Sequence, residues 1–291
     1  MMFIAWLKLM RPAHWTKNLF VLAPLLFARQ LFDFDLLLDS VVAFGLFCLL
    51  SSSVYLFNDV MDADNDRAHP IKFRRPIAAG TIKPVPALVV STLFATCSIL
   101  VAFLIDARFG MLGAGYLTLN LFYSRWLKKL AFVDVMVIAA GFVLRVVAGA
   151  VAIDVKFSVW LVLCTFCLAF LLALGKRRHE LEIFRDSGVE ARPALAGYTL
   201  KSLRIAEWTL AGITLASYIL YTVAPGTVAK FGTYNLVFTL PFPVFGILRY
   251  MQLVVAKRSK VPTEALVTDI PSLFNLVGWV ATVVIVLYDV F

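Results

Sequence analysis

The sequence predicts an all-α integral membrane protein of nine transmembrane helices, N-terminus inside and C-terminus outside. Three observations carry the helices and their orientation. The chain of 291 residues is 62% hydrophobic and only 15% charged, whereas an ordinary soluble domain is roughly half apolar and about a quarter charged. The apolar residues gather in nine blocks, at 15–32, 36–58, 84–105, 109–126, 132–152, 157–175, 203–223, 235–254 and 272–291. Each is about the ~20 residues a helix needs to cross a bilayer core. The third observation is the placement of the charges between these blocks.

The chain opens on Met1–Met10, which is short, runs into Arg11-Pro12 and lacks a small-residue cleavage pattern, so no removable signal is expected. If every block crosses, the N-terminus and segments 60–83, 125–131, 176–204 and 249–260 share one side. That side holds most of the 27 Lys and Arg residues, among them Lys8, Arg11, Lys17, Arg67, Lys72, Arg74, Arg75, Arg125, Lys128, Lys176, Arg177, Arg185, Arg192, Lys257, Arg258 and Lys260. The other side has only Arg29, Arg108, Lys156 and Lys230, and Arg145 falls inside a block. Positive charge is retained in the cytoplasm, which sets the orientation. An added or lost crossing would move part of the basic set to the wrong side. The net charge of +9 is therefore read as topology, and no nucleic-acid partner is expected. The longest polar stretches, 60–83 and 176–202, are too short to fold alone, so residues 1–291 form a single transmembrane domain.

Cys48, Cys97, Cys164 and Cys167 all lie in apolar blocks. Cys164-x-x-Cys167 has metal-type spacing without a second ligand pair, so buried apolar packing is the expected role.

The chemistry concentrates where the second block ends, at Asn58-Asp59-x-x-Asp62-x-x-x-Asp66. On an α-helix these three carboxylates fall within about 60° of one another, on one face. They repel unless a cation neutralises them, and hard oxygen ligands that leave room for water and phosphate suit Mg²⁺. Arg67, Lys72, Arg74 and Arg75 follow, then Pro76 to Gly80. Guanidinium groups grip phosphate oxygens in pairs, while lysine acts as a point charge; some of these residues would serve topology alone.

Further candidates stand at other cytoplasmic ends. Tyr123 and Ser124 close the fourth block and Lys128 follows, with Tyr123 and Lys128 converging only if the helix ends or bends between them. Asp134 and Arg145 lie within about 20° on one helix face, some three turns apart in depth. An arginine inside an apolar helix faces a pocket or a partner, and an intramembrane salt bridge is the plainer alternative. Lys176, Arg177, Arg178 and His179 close the sixth block beside Glu180 and Glu182. The i, i+4 pairs there could brace the helix, or the cations could receive a second phosphate. His14, His69 and His179 are given no catalytic role.

These residues together resemble the UbiA superfamily of intramembrane prenyltransferases, over nearly the whole chain, and the resemblance implies that the nine transmembrane helices surround a cavity open to the cytoplasm. The family's first aspartate motif matches at Asn58, Asp59, Asp62 and Asp66, and its trailing Arg-Pro-x-x-x-Gly at Arg75, Pro76 and Gly80. The likeness is closer to the polyprenyl-phosphate phosphoribosyltransferase branch, through Arg11-Pro12-x-x-Trp15-x-Lys17-Asn18, Asp66-Arg67-x-His69-Pro70, Tyr123-Ser124-x-x-Leu127-Lys128, Gly141-Phe142-x-Leu144-Arg145-x-x-Ala148-Gly149 and Gly175-Lys176-Arg177. Members with aromatic acceptors carry a second aspartate motif on a later loop. Here that loop has Glu180, Glu182, Asp186 and Glu190 without the arrangement. One carboxylate cluster facing several cation clusters suits two phosphorylated substrates.

The resemblance implies transfer of 5-phosphoribosyl from 5-phosphoribosyl 1-diphosphate to a polyprenyl phosphate, releasing diphosphate, for cell-envelope glycan precursors. It implies a bacterial inner-membrane location, a cytoplasm-facing site and Mg²⁺ held by Asp59, Asp62 and Asp66. Lys128 is assigned with them to catalysis, and Lys17, Tyr123, Arg145, Lys176 and Arg177 to orienting the phosphates. Prenyl transfer to an aromatic or glycerol-phosphate acceptor is the alternative, and transport a minor one. The sequence leaves a homo-oligomer open.

Overall fold

The computed structural model describes residues 2–68, 72–187, 193–255 and 268–288. His69, Pro70, Glu190, Arg192, Lys257, Arg258 and Lys260 lie outside the described residues, as do the side chains of Arg185 and Asp186. Among the described residues every regular element is helical. The helices are α1 (Met2–Met10), α2 (Ala23–Phe27), α3 (Phe34–Met61), α4 (Ala63–Ala68), α5 (Pro84–Ile105), α6 (Ala107–Arg125), α7 (Val133–Ala152), α8 (Val159–Ser187), α9 (Leu200–Val223), α10 (Pro225–Phe231), α11 (Pro241–Val255) and α12 (Ile270–Leu287).

Six stretches are long and apolar enough to cross a membrane: α3, α5, α7, Val159–Ile183 of α8, Asn235–Val255 and α12. The pair α9 and α10, bent by 51°, makes a seventh if counted as one span. The chain is thus a multi-span membrane protein. Block 15–32 departs from the expectation of one crossing helix. It holds the end of a 3-10 run, Pro12–Val21, and the five-residue α2. Proline at the start of each piece denies a backbone donor, and the side chain of Asn18, fully buried, is spent on polar contacts with α3. The fourth block does form a 19-residue helix, α6, but with Arg108, Asn120 and three glycines it is too polar to count among the six.

The chain divides into two compact units, Met1–Arg125 with Leu144–Phe157, and Trp126–Val143 with Ser158–Phe291. In the first, α3 is the central helix. Asp33 caps its N-terminus, accepting from the amides of Asp35 and Leu36. Its inner face packs Phe47, Leu50 and Val54 against Phe109 and Tyr116 of α6 and Ala148 of α7. Three consecutive small residues, Ser51, Ser52 and Ser53, let the N-terminal segment lie close against it. Ser52 accepts from the Trp15 indole at 3.1 Å and donates to the Met10 carbonyl at 3.0 Å. Gly149 allows the same approach from α7, because a Cβ there would stand 1.9 Å from the Val21 carbonyl oxygen.

In the second unit, α8 packs along α9, and their interface buries Leu174, Leu181 and Leu203 with Val135, Leu195 and Tyr198. A further cluster joins Leu171 and Ala211 to Ile247, Tyr250, Met251 and Val254 of α11. Thr199 and Ser202 form a capping box at the start of α9. No cysteine is in a disulfide; Cys48 and Cys167 are buried as expected, whereas Cys97 is exposed on α5.

Candidate functional site

The acidic motif occupies the end of α3 because that helix is longer than a bilayer requires. Its 28 residues extend about 42 Å at 1.5 Å per residue, against a hydrocarbon core of ~30 Å. That excess leaves room outside the core, and the last turns carry Asn58 and Asp59. The helix ends at Met61 and Asp62 is its C-cap, after which α4 carries Asp66. The amides of Asp62 and Asp66 still bond to the carbonyls of Asn58 and Asp62 at 2.9 and 2.8 Å. The helical succession therefore survives the break.

Asp59 and Asp66 are buried, at 3% and 4% exposure, and one guanidinium joins them. Arg75 Nη1 lies 3.1 Å from Asp59 Oδ1 and 2.7 Å from Asp66 Oδ2. Arg11 Nη2 donates to the same Asp59 oxygen at 2.6 Å. Its guanidinium also lies over the Tyr55 ring, 4.8 Å from the centre, one turn before Asp59. Asp59 and Asp66 thus alternate with two guanidiniums, Arg11 and Arg75. Among the described residues no three His, Cys, Asp or Glu side chains form a metal cluster as they stand.

Local sequence explains how the two arginines arrive. Arg75 follows the 3-10 turn Lys72–Arg74, and the residues after it anchor the loop. Ile77 and Ile82 are buried among Ala5, Leu9, Leu56, Ala63 and Ala87. Gly80 has φ +74°, a left-handed conformation that costs any residue with a Cβ about 1 kcal/mol or more. The turn is held by the Ala79 amide on the Arg75 carbonyl and the Ile82 amide on the Pro76 carbonyl. Arg11 is itself left-handed, with φ 53°, and this reverses the chain between α1 and the 3-10 run.

The donor chemistry fits a hard divalent cation: carboxylates at Asp59, Asp62 and Asp66, and the buried Asn58 Oδ1, which has no hydrogen-bond partner. A cation bound through Asp59 Oδ1 and Asp66 Oδ2 would take the oxygens that Arg75 now holds.

The remaining candidates are distributed as follows. Arg67 pairs at 2.6 Å with Asp64 on the surface, and the exposed Arg74 lies over the Phe73 ring; neither bonds to the aspartates in the way Arg75 does. Lys72 and Lys17 are half-buried on the first unit's 3-10 segments, and Asn18, next to Lys17, is buried. Asn18 donates to Ser51 at 3.1 Å and Cys48 at 3.3 Å, and its Oδ1 accepts from Arg145 Nε at 2.7 Å. Arg145 also donates to the Tyr116 hydroxyl at 2.7 Å and stacks over that ring. Arg145 thus ties the 3-10 run and α6 to α7. The eleven residue steps from Asp134 to Arg145 span about 16 Å of helix, too far for a direct salt bridge between the two. Ser124 bonds back to the Asn120 carbonyl at 2.8 Å. Helix α6 does end between Tyr123 and Lys128, at Arg125, with Leu127–Lys129 forming a separate 3-10 turn.

In the second unit Asp134 and Arg177, both 1% exposed, pair with each other. Arg177 also bonds Glu180, and the Tyr198 hydroxyl donates to Asp134 Oδ1 at 2.7 Å while accepting from the Phe132 amide at 2.6 Å. Burial and the neighbouring carboxylate both hold the Tyr198 phenol protonated, above its ordinary range. Lys176, beside them, is half-buried. Arg178 bonds Glu182 at 3.1 Å and the fully buried Glu207 at 2.8 Å. The i, i+4 brace of Arg178 and Glu182 is therefore present, with Glu207 of α9 as an additional partner.

Two contributors went unweighed in the sequence. Arg11 stood in plain view within Arg11-Pro12, yet nothing in spacing places it on an aspartate 48 positions away. Glu207 carried a usable signal, an acid inside an apolar helix.

The UbiA prenyltransferase family model matches residues 18–286. A decaprenyl-phosphate phosphoribosyltransferase of Mycolicibacterium smegmatis is 32% identical over 97% of this chain and 92% of its own. One of Mycobacterium tuberculosis is 32% identical over 95% and 92%. Among solved structures, a UbiA homolog from Archaeoglobus fulgidus bound to GPP and Mg²⁺ superposes with a TM-score of 0.72, at 17% identity, over 98% of this chain and 99% of that one.

Proposed function

Because the chain belongs to the UbiA prenyltransferase family, we propose that it is a polyprenyl-phosphate phosphoribosyltransferase. The reaction is polyprenyl phosphate + 5-phosphoribosyl 1-diphosphate → polyprenyl-phosphoryl-5-phosphoribose + diphosphate. The single observation that carries the site assignment is the alternation of Asp59, Asp66, Arg75 and Arg11. Anionic and cationic groups held this close suit a diphosphate that arrives with a divalent counter-ion. The named relatives, similar over almost the whole chain, support the choice of sugar donor and lipid acceptor.

Asp59, Asp62, Asp66 and the Asn58 amide oxygen are the residues that would hold Mg²⁺. When bound, Mg²⁺ supplies positive charge that offsets the charge of the leaving diphosphate. Arg75 and Arg11 grip diphosphate oxygens through paired donors. The lipid phosphate is already an anion, so the reaction needs no general base. The carboxylates also favour the positive character that grows on the anomeric carbon as the diphosphate departs. In the first unit, Lys17, Lys72 and Tyr123 orient phosphate groups of the substrates; Lys128 and Lys176 are the phosphate-binding candidates of the second unit. Asp134, Arg177 and Arg145 act as internal braces that hold the segments bearing Lys128, Lys176 and Lys17. Arg67, Arg74 and Ser124, engaged locally, stay outside the reaction.

The charge distribution supports nine crossings, N-terminus inside, with the aspartates facing the cytoplasm of a bacterial inner membrane. The family match runs through both compact units, which supports one UbiA-type domain. The test is to incubate the purified protein and Mg²⁺ with labelled 5-phosphoribosyl 1-diphosphate and decaprenyl phosphate. A labelled lipid is expected. Turnover instead of a prenyl diphosphate with an aromatic or glycerol-phosphate acceptor would transfer the chain to the other branch of the family.

A further inference from the structure

We propose that Arg75 is a resident counter-ion of the aspartate pair that gives way to a divalent cation only when a diphosphate arrives, so that metal and diphosphate load together. The inference rests on the metal–diphosphate reading of this cluster. Its basis is that one guanidinium nitrogen contacts both Asp59 Oδ1 and Asp66 Oδ2, while Arg11 shares the Asp59 oxygen. A cation bound through those two oxygens must displace Arg75.

Charge then decides which ligands enter. Two carboxylates at 3% and 4% exposure need compensation, because a buried ion without a partner is strongly unfavourable. Arg75 supplies it. A bare divalent cation would evict Arg75 and remain beside two guanidinium charges with no anion to receive them. A diphosphate brings that anion, and a planar guanidinium binds its oxygens in pairs.

The loop is built for a side-chain movement of this kind. Ile77 and Ile82 anchor the backbone on either side of the Gly80 turn. The Arg75 side chain, by contrast, is 30% exposed. Each ligand therefore raises the affinity of the other by the same factor.

The experiment measures Mn²⁺ binding by electron paramagnetic resonance to the full chain in detergent micelles, with and without inorganic diphosphate. Arg75→Gln should bind Mn²⁺ alone about tenfold tighter than wild type, the weight of one charge-assisted hydrogen bond. The tightening produced by diphosphate should shrink by a similar factor. Arg75→Lys keeps the charge but cannot span two carboxylates, so it should fall between; if the glutamine variant does not stay monodisperse, the lysine variant decides alone. Equal or weaker Mn²⁺ binding by these variants, with binding still lost in Asp66→Asn, would overturn the exchange and leave the metal site standing. Absence of Mn²⁺ binding in every protein, with diphosphate present, would remove the metal reading and the exchange with it.

Discussion

Replacing Asp134 by alanine tests whether the second unit's buried ion pair is scaffold or ligand site. Asp134 and Arg177 are each 1% exposed, and Asp134 also receives the Tyr198 hydroxyl. Removing the carboxylate strands a guanidinium that retains Glu180, and leaves Tyr198 without its acceptor. Breaking a buried pair from one side costs about 3–5 kcal/mol. For a chain of this size that corresponds to a fall in Tm of roughly 10 °C. The assay is thermal unfolding in detergent, followed by tryptophan fluorescence, for Asp134→Ala, Arg177→Met and the double variant Asp134→Leu/Arg177→Met. The double variant should be less destabilised than the sum of the single changes, because the two most deeply buried charges leave together and Glu180, which also loses Arg177, is partly exposed. An unchanged Tm in Asp134→Ala, together with a tenfold loss of donor affinity, would refute the reasoning and make the pair a direct phosphate contact.

Arg67→Ala and Arg74→Ala should each alter the rate of product formation by less than about twofold, since exposed pairs contribute about 0–1 kcal/mol. A larger loss in steady-state kinetics would place these side chains in the reaction. Gly80→Ala meets no atom within 4 Å, so its cost should be the backbone strain alone, about 1–2 kcal/mol, read as a lower Tm. Asp269 caps α12 by accepting from Ser272 and pairs with Arg249 at 2.8 Å. The Arg249 hydrogen bond chiefly, with Ser272, holds its carboxyl well below the ordinary range. A depressed folded pKa adds stability that is complete above the unfolded value near ~4 and is lost as pH falls through the lower folded value. The Tm difference between wild type and Asp269→Asn should therefore be constant from pH 5 to 8 and narrow only in stronger acid. A difference that varied across the neutral range would contradict this origin.

The membrane class was legible because burial in lipid writes itself into composition, and α3, α5, α7 and α12 fall where the apolar blocks do. Block 15–32 misled because apolarity does not report backbone geometry; Pro12 and Pro24 were the signals for a broken segment. The aspartate motif was legible because helical period alone brings Asp59 and Asp66 to one side. Its partners were not. Arg75 reaches both aspartates through a turn whose shape depends on Gly80, and Arg11 through its own left-handed backbone. Asp134 and Arg145 share a helix face some three turns apart in depth, and each bonds to a neighbour that the sequence did not name. Long-range pairing of charges is set by tertiary packing, and a single sequence carries no record of it.

The most direct measurement is diphosphate release by wild type and Asp59→Asn, with the sugar donor plus decaprenyl phosphate and, separately, with geranyl diphosphate plus an aromatic acid. Release by wild type only with the sugar donor and lipid phosphate, falling about 100-fold or more in Asp59→Asn while the variant stays folded, is the predicted result. Undiminished release by Asp59→Asn, or release confined to the prenyl donor, would contradict a sugar-diphosphate site at the end of α3.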